Sequence, residues 1–205
     1  MLMMRMVVKT LTHCTWLIIM AAMLTSTQPT ISESRPPVLD TAGNPLEAGA
    51  EYFILPSRRC GGGPLALVSR NELCPLFVGQ ENDPSSPRFP VVFKPFVEGE
   101  KVVREFSDFR VQFASISICI QSTQWKVVSG EKRRLIGTGG GEEAASFFRI
   151  EKNESDGGYN LGWCPTDVCP LCRFDCGKAG VLMEKETRLL ALDDVPVLSV
   201  VFKRA

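Results

Sequence analysis

Four cysteines crowded into thirteen residues constrain this chain more than any other feature. Cys164, Cys169, Cys172 and Cys176 follow the pattern C-x4-C-x2-C-x3-C. Such a cluster either holds a metal through thiolates or is cross-linked by disulfides. Zinc sites built on cysteine usually place two C-x2-C knuckles on either side of a longer loop, and the spacing here is tighter. The compartment separates the two readings. Arg5 and Lys9 give the chain a basic start, Trp16 to Leu24 (WLIIMAAML) is apolar, and the small polar run Thr25–Ser26–Thr27 follows. That order reads as a secretory signal peptide over residues 1–27, cleaved near Ser26 to Thr30. Nine apolar residues are too few for a membrane anchor, which needs roughly 20. Export leads to an oxidising compartment, so disulfides are expected and no metal site.

Removing the signal peptide changes the inventory. His13, the only histidine, leaves with it, as does Cys14. The seven cysteines left are Cys60, Cys74, Cys119 and the four of the cluster. Seven is odd, so one thiol stays free or pairs between molecules. Without histidine there is no Ser–His or Cys–His nucleophile pair and no imidazole metal ligand. Carboxylate-pair catalysis stays formally open, yet no spacing marks two acidic residues as partners. No enzyme, catalytic residue or cofactor is expected. The mature chain keeps 21 basic against 23 acidic residues, a balance with no electrostatic footprint for nucleic acid or anionic lipid. The run Lys132 to Arg134 reads as a solvated loop, with Glu142–Glu143 soon after. No later stretch is apolar enough to cross a membrane.

Residues 28–37 (QPTISESRPP) read as a flexible lead-in. Beyond them, short β-rich runs recur. They are Glu51 to Leu55, Leu65 to Val68, Pro75 to Val78, Val91 to Phe93, Phe109 to Phe113, Ile116 to Ile120, Trp125 to Val128, Ser146 to Ile150, Tyr159 to Trp163, Val181 to Glu184, Leu189 to Leu192 and Leu198 to Phe202. Several alternate apolar and polar residues, the period of a half-buried strand. Gly43–Asn44–Pro45, Gly61 to Gly63, Asp83–Pro84, Gly137 to Gly141 and Asp156 to Gly158 supply turn chemistry between them. No helical stripe appears, so an all-β barrel or sandwich is expected. Aromatic-rich strands around Tyr52, Phe93 and Phe147–Phe148 hint at a three-fold repeat. Gly137 to Gly141 reads as a hairpin tip, since a phosphate cradle would need a following Lys–Ser/Thr.

The residues also match a known pattern in order. VLDTAGNPLEAGAEYFILP (Val38 to Pro56), ELCPLFVGQ (Glu72 to Gln80), ICIQSTQW (Ile118 to Trp125), SFFRIEK (Ser146 to Lys152), YNLGWCP (Tyr159 to Pro165) and RLLAL…VVFKRA (Arg188 to Ala205) resemble the soybean-type Kunitz protease inhibitors of plants. The cysteine cluster resembles their miraculin-like branch. The resemblance covers Val38 to Ala205 as one domain and implies a β-trefoil, a six-stranded barrel capped by three hairpins. It also implies the pairing Cys74–Cys119, Cys164–Cys176 and Cys169–Cys172, which leaves Cys60 as the free thiol. Arg58–Arg59 beside Cys60 would lower its pKa if it is reactive; the other reading is a buried, inert thiol.

Inhibitors of this family present an exposed, rigid loop that enters a protease cleft as a poor substrate. Its pattern is Pro–aromatic–specificity residue. Anchored without a gap on Glu98–Gly99 and Phe106, the pattern falls on Pro90, Val91 and Val92, followed by Phe93 and Lys94. A rival register uses Pro95, Phe96 and Val97. Either register gives a valine where a trypsin-directed inhibitor needs Arg or Lys. Ala48 stands where the family has an asparagine that braces the loop. The implied partner is an extracellular or vacuolar protease, serine or papain-like cysteine, met by a secreted monomer in cell wall or vacuole. A non-inhibitory defence, storage or ligand-binding trefoil is the alternative; pigment binding, seen in some relatives, has no specific support. Asn153–Glu154–Ser155 is a glycosylation sequon. Trp125 and Trp163 are expected to pack in the core or at the barrel bottom.

Overall fold

A computed structural model describes residues 35–57, 61–70, 74–115, 119–129, 133–140 and 143–205. Among them there is no α-helix, and hence none long and apolar enough to cross a membrane. The signal peptide and Cys60 fall outside the described residues.

Six strands close into a barrel. They are β1 (Glu51–Pro56), β4 (Val91–Pro95), β5 (Phe109–Phe113), β8 (Arg149–Lys152), β9 (Tyr159–Trp163) and β13 (Ser199–Arg204). Antiparallel pairing runs β13–β1–β4–β5 and β8–β9–β13. The bridge Phe109↔Phe148 joins β5 to the residue before β8 and closes the ring. Period-2 alternation turns one face of every strand inward. Tyr52, Ile54, Val91, Phe93, Phe109, Val111, Phe113, Ile150, Leu161, Val200 and Phe202 are buried accordingly. Phe93 sits at their centre, its ring 5.5 Å from Phe109, 5.7 Å from Phe202 and 6.2 Å from Tyr52.

Three hairpins cap one end: β2 (Leu65–Val68) with β3 (Phe77–Gln80), β6 (Trp125–Ser129) with β7 (Arg134–Thr138), and β11 (Gly180–Glu184) with β12 (Thr187–Ala191). Their inner strands meet in a triangle, β3 with β12, β3 with β7 and β7 with β12. The two-residue β10 (Gly177–Lys178) extends β9. The fold is a β-trefoil, with repeats opening at β1, β5 and β9. The three-fold hint is therefore corrected in its anchors: Phe93 and Phe147–Phe148 lie on or beside β4 and β8, the closing strands of their repeats, whereas Tyr52 lies on β1, which opens its own.

Three further expectations change. Arg134, read as part of a solvated loop, opens β7, and its guanidinium pairs with Asp193. Ile116 to Ile120 is not a described strand: residues 116–118 lie outside the described residues, and Cys119 and Ile120 form a bend. The lead-in through Pro37 is not loose at its end. Pro37 bridges to Arg104, and Pro36 accepts the Glu105 amide at 2.9 Å.

Candidate functional site

The reactive loop expected at Pro90 to Lys94 is corrected by the structure. Val91 to Lys94 lie inside β4, hydrogen-bonded to β5 along its length and to β1 at Val92. Val91 and Phe93 are 0% exposed in the barrel core. A protease cannot reach them without unfolding the barrel. Pro90 only leads into the strand.

The exposed segment follows β4. Pro95 ends the strand, and Phe96 and Val97 are 40% and 41% exposed. The rival register, Pro95–Phe96–Val97, is thus the one at a loop. Its geometry is tight. Phe96 donates its amide to the Asp108 carbonyl at 2.8 Å and stacks edge-on against Phe147 at 5.3 Å. Val97 and Glu100 close a turn through a 3.3 Å amide–carbonyl bond, with Gly99 at φ 80°. That left-handed position favours glycine. After the turn the chain is tied down again. Lys101 accepts the Ala48 amide at 2.8 Å, Glu47 bridges Val102, and the Val103 amide reaches the Leu46 carbonyl at 2.8 Å. The methyl side chain of Ala48 cannot hydrogen-bond to the loop, but its backbone amide ties down the chain just after the turn.

Further along, Phe106 is half exposed with φ 58°. A left-handed aromatic residue costs about 1–3 kcal/mol unless its surroundings over-determine it. Here its amide donates to the Ile150 carbonyl at 2.9 Å, and its carbonyl accepts Arg35 Nη1 at 2.7 Å. Arg35 also forks onto Asp167, at 2.7 and 3.0 Å. The segment read as a flexible leader therefore ends in a clamp on this loop.

The cysteine cluster forms a second projecting loop, between β9 and β10. Its bridges are Cys164–Cys176 and Cys169–Cys172, while Cys74–Cys119 ties the stretch before β3 to the loop after β5. This is the pairing that the family resemblance implies. Beneath the loop lies Asp108, whose side chain is fully buried. Its carboxylate accepts Arg149 Nη2 at 2.6 Å and Nε at 3.2 Å, and the amides of Asp167 and Val168 at 2.7 and 3.1 Å. Burial pushes the Asp108 carboxyl above the usual aspartate range despite the pull of Arg149. Burial acts on Asp167 in the same direction, but the Arg35 hydrogen bond, the Asp108 amide and the charges of Arg35 and Arg149 hold it below that range. Arg149 also reaches Thr166 Oγ1 at 2.9 Å. On the far side Trp163 packs edge-to-face with Phe174 at 5.3 Å and donates its Nε1–H to the Ala144 carbonyl at 3.0 Å.

Asp108, Arg149, Asp167 and Arg35 were not legible as a site in the sequence. They are ordinary charged residues whose partners lie 41 to 132 positions away. Of the tryptophans, Trp125 is fully buried at the barrel end and Trp163 is partly buried beneath the cysteine loop. Asn153 sits in a turn in which its Oδ1 accepts the Ser155 amide and hydroxyl at 3.1 and 2.7 Å. Among the described residues, no three His, Cys, Asp or Glu side chains are grouped to hold a metal ion.

Comparison with known proteins fits this geometry. The family model described as "Trypsin and protease inhibitor" (Kunitz legume) matches residues 38–204. A Kunitz type trypsin inhibitor of Medicago truncatula is 44% identical, over 82% of this chain and 86% of its own. The solved rice bifunctional alpha-amylase/subtilisin inhibitor is 35% identical with a TM-score of 0.70, covering 83% of this chain and 99% of its own. A Kunitz-type cysteine protease inhibitor from potato is 34% identical with a TM-score of 0.71, covering 83% and 98%. The chain belongs to the Kunitz family of plant protease inhibitors.

Proposed function

We propose that this protein is a secreted, monomeric inhibitor, not an enzyme, directed at a protease other than a trypsin-like one. One observation carries the reading. The exposed tip after β4 offers Phe96 and Val97, followed by Glu98 and Glu100, with no cation among them. Trypsin-like pockets hold a carboxylate that selects Arg or Lys. A valine between Phe96 and Glu98 has no favourable term there and suits a small apolar pocket. Lys94 is exposed, but it is held within β4 opposite Arg110, where a cleft cannot enclose it. Relatives named as subtilisin and cysteine protease inhibitors support a target outside the trypsin class. The signal-like leader supports export to the cell wall or vacuole. Exposure of Ser155 and Glu154 in the turn supports glycosylation at Asn153.

The test is a panel of trypsin, chymotrypsin, elastase, subtilisin and papain against the refolded mature chain. Inhibition of at least one apolar-pocket or cysteine protease, with none of trypsin, is expected. Nanomolar trypsin inhibition lost in Lys94→Ala would overturn the trypsin exclusion. No inhibition anywhere would favour a storage or ligand-binding role instead.

A further inference from the structure

Behind the exposed ring of Phe96 stands a layered contact. Phe96 meets Phe147 edge to face, with centroids 5.3 Å apart and planes at 89°. Phe147 is 2% exposed and lies between the 3₁₀ turn Ala144–Ser146 and β8. Its ring has a second partner. The Arg110 guanidinium sits over it, 4.3 Å from the centroid. Arg110 lies on β5 just after Asp108, whose carbonyl accepts the Phe96 amide. Its Nη2 reaches the exposed Glu143 at 3.1 Å. Its Nε is buried with no hydrogen-bond partner among the described residues. Hydrogen bonding alone does not explain that placement; packing on the ring does.

The strand pair does not ask for an arginine here. Arg110 is directly opposite Lys94 across β4 and β5, and like charges facing each other weaken a ladder. What the arginine does is cover one face of Phe147 and so fix the ring against which Phe96 rests. An edge-to-face aromatic pair and a cation over a ring each add to the area they bury. The tip therefore has support on two sides. On one, the Ala48 amide ties Lys101 through backbone alone. On the other, the support comes from side chains of β5 and of the stretch before β8. A segment held in one shape before docking loses less freedom on binding, so its hold on a cleft is tighter.

We propose that Phe147 and Arg110 are positioning residues for the recognition tip: the stack of Phe96, Phe147 and Arg110 keeps the backbone from Phe96 to Glu98 in the shape that a protease cleft accepts. This rests on the inhibitor reading above and names what presents its tip. Phe147 and Arg110 act through Phe96 and not by touching the protease.

The experiment measures inhibition of elastase and of subtilisin by the refolded mature chain and by Phe147→Leu, Arg110→Gln, Phe96→Leu and the Phe96→Leu/Phe147→Leu double variant. Thermal unfolding and hydrogen exchange at the Phe96 and Glu100 amides are followed for each. Phe147→Leu and Arg110→Gln are expected to raise the inhibition constant about three- to tenfold and to speed exchange at both amides. In the Phe96→Leu background, Phe147→Leu should add nothing further, because the contact it removes is already gone. Unchanged inhibition in both single variants overturns the proposal and leaves the inhibitor reading standing. So does a loss from Phe147→Leu that is equally large with and without Phe96, since Phe147 would then act through the barrel. If Phe147→Leu does not fold, Arg110→Gln decides alone: its side chain is at the surface, and exchange at Phe96 no faster than in the parent overturns the proposal. A parent chain that inhibits neither protease removes the reading of the tip, and the proposal with it.

Discussion

Asp108 and Asp167 exchange hydrogen bonds: the amide of each donates to the carboxylate of the other, at 3.0 and 2.7 Å. Two acidic side chains are thereby held in contact. Arg149 on Asp108 and Arg35 on Asp167 balance the charge. Asp108 also accepts the Phe96 amide on its own carbonyl. One residue thus anchors both projecting loops, the tip after β4 and the cysteine loop.

Replacing Asp108 by Ala should be among the most damaging single changes outside the core. It strands Arg149 and leaves the Asp167 and Val168 amides without acceptors. Breaking a buried, hydrogen-bonded ion pair costs about 3–5 kcal/mol. Urea denaturation should show a loss of that order, with faster amide exchange over residues 166–176. A loss under about 1 kcal/mol would mean that the pair behaves like a surface salt bridge.

The two aspartates should titrate in opposite directions. Asp108 is raised, so the folded chain holds its proton where the unfolded chain has released it. Its contribution to stability falls as pH rises from the ordinary aspartate value through its raised one. Asp167 is lowered, so its contribution is present above the ordinary value and lost as pH falls through its folded value. Carboxyl carbon NMR across an acid titration should place Asp108 above and Asp167 below the exposed aspartates. The reverse order would contradict this account of the network.

Phe93→Ala should act on stability and not on recognition. The ring is fully buried against three aromatic neighbours, and such truncations cost about 3–5 kcal/mol. Partial destabilisation with an unchanged inhibition constant for the folded fraction is expected. A specific loss of inhibition by fully folded Phe93→Ala would restore β4 as the recognition loop.

The disulfides that close the longest and the shortest loop should differ in weight. Cys74–Cys119 closes a separation of 45 residues, for which loop entropy predicts about 4 kcal/mol. Cys169–Cys172 closes a separation of 3, for which the same relation gives less than about 2 kcal/mol. Thermal unfolding of the paired Cys→Ser variants should rank them in that order. Equal effects would mean that the cysteine loop supports the barrel directly.

Arg35→Ala should loosen residues 104–108 while leaving the barrel intact. Its guanidinium holds the Phe106 carbonyl, the Ser107 hydroxyl and Asp167. Limited proteolysis should detect new cleavage in that segment at an almost unchanged unfolding temperature. Unaltered protection would show that the backbone bridges from Pro36 to Val38 suffice.

The period-2 alternation of the barrel strands, the turn residues between them, and the ordered motifs from Val38 to Ala205 determined the all-β class and, through the family pattern, the trefoil and its disulfide pairing. These are local or short-range signals, and each strand needs only its own inward face to declare itself. β7 escaped because it opens on Arg134 and is interrupted by Gly137, which carries little strand preference; its pairing with β6, β3 and β12 makes it a strand. The position of the recognition tip also lay beyond local reading. An inhibitory loop and a β-strand share nearly the same extended backbone, so Pro90–Val91–Val92 and Pro95–Phe96–Val97 look alike in isolation. Only tertiary pairing separates them. Hydrogen bonds from β1 and β5 claim Val91 to Pro95, and the chain is released at Phe96. The same holds for Asp108, an unremarkable acidic residue until barrel closure brings Arg149, Asp167 and Arg35 around it.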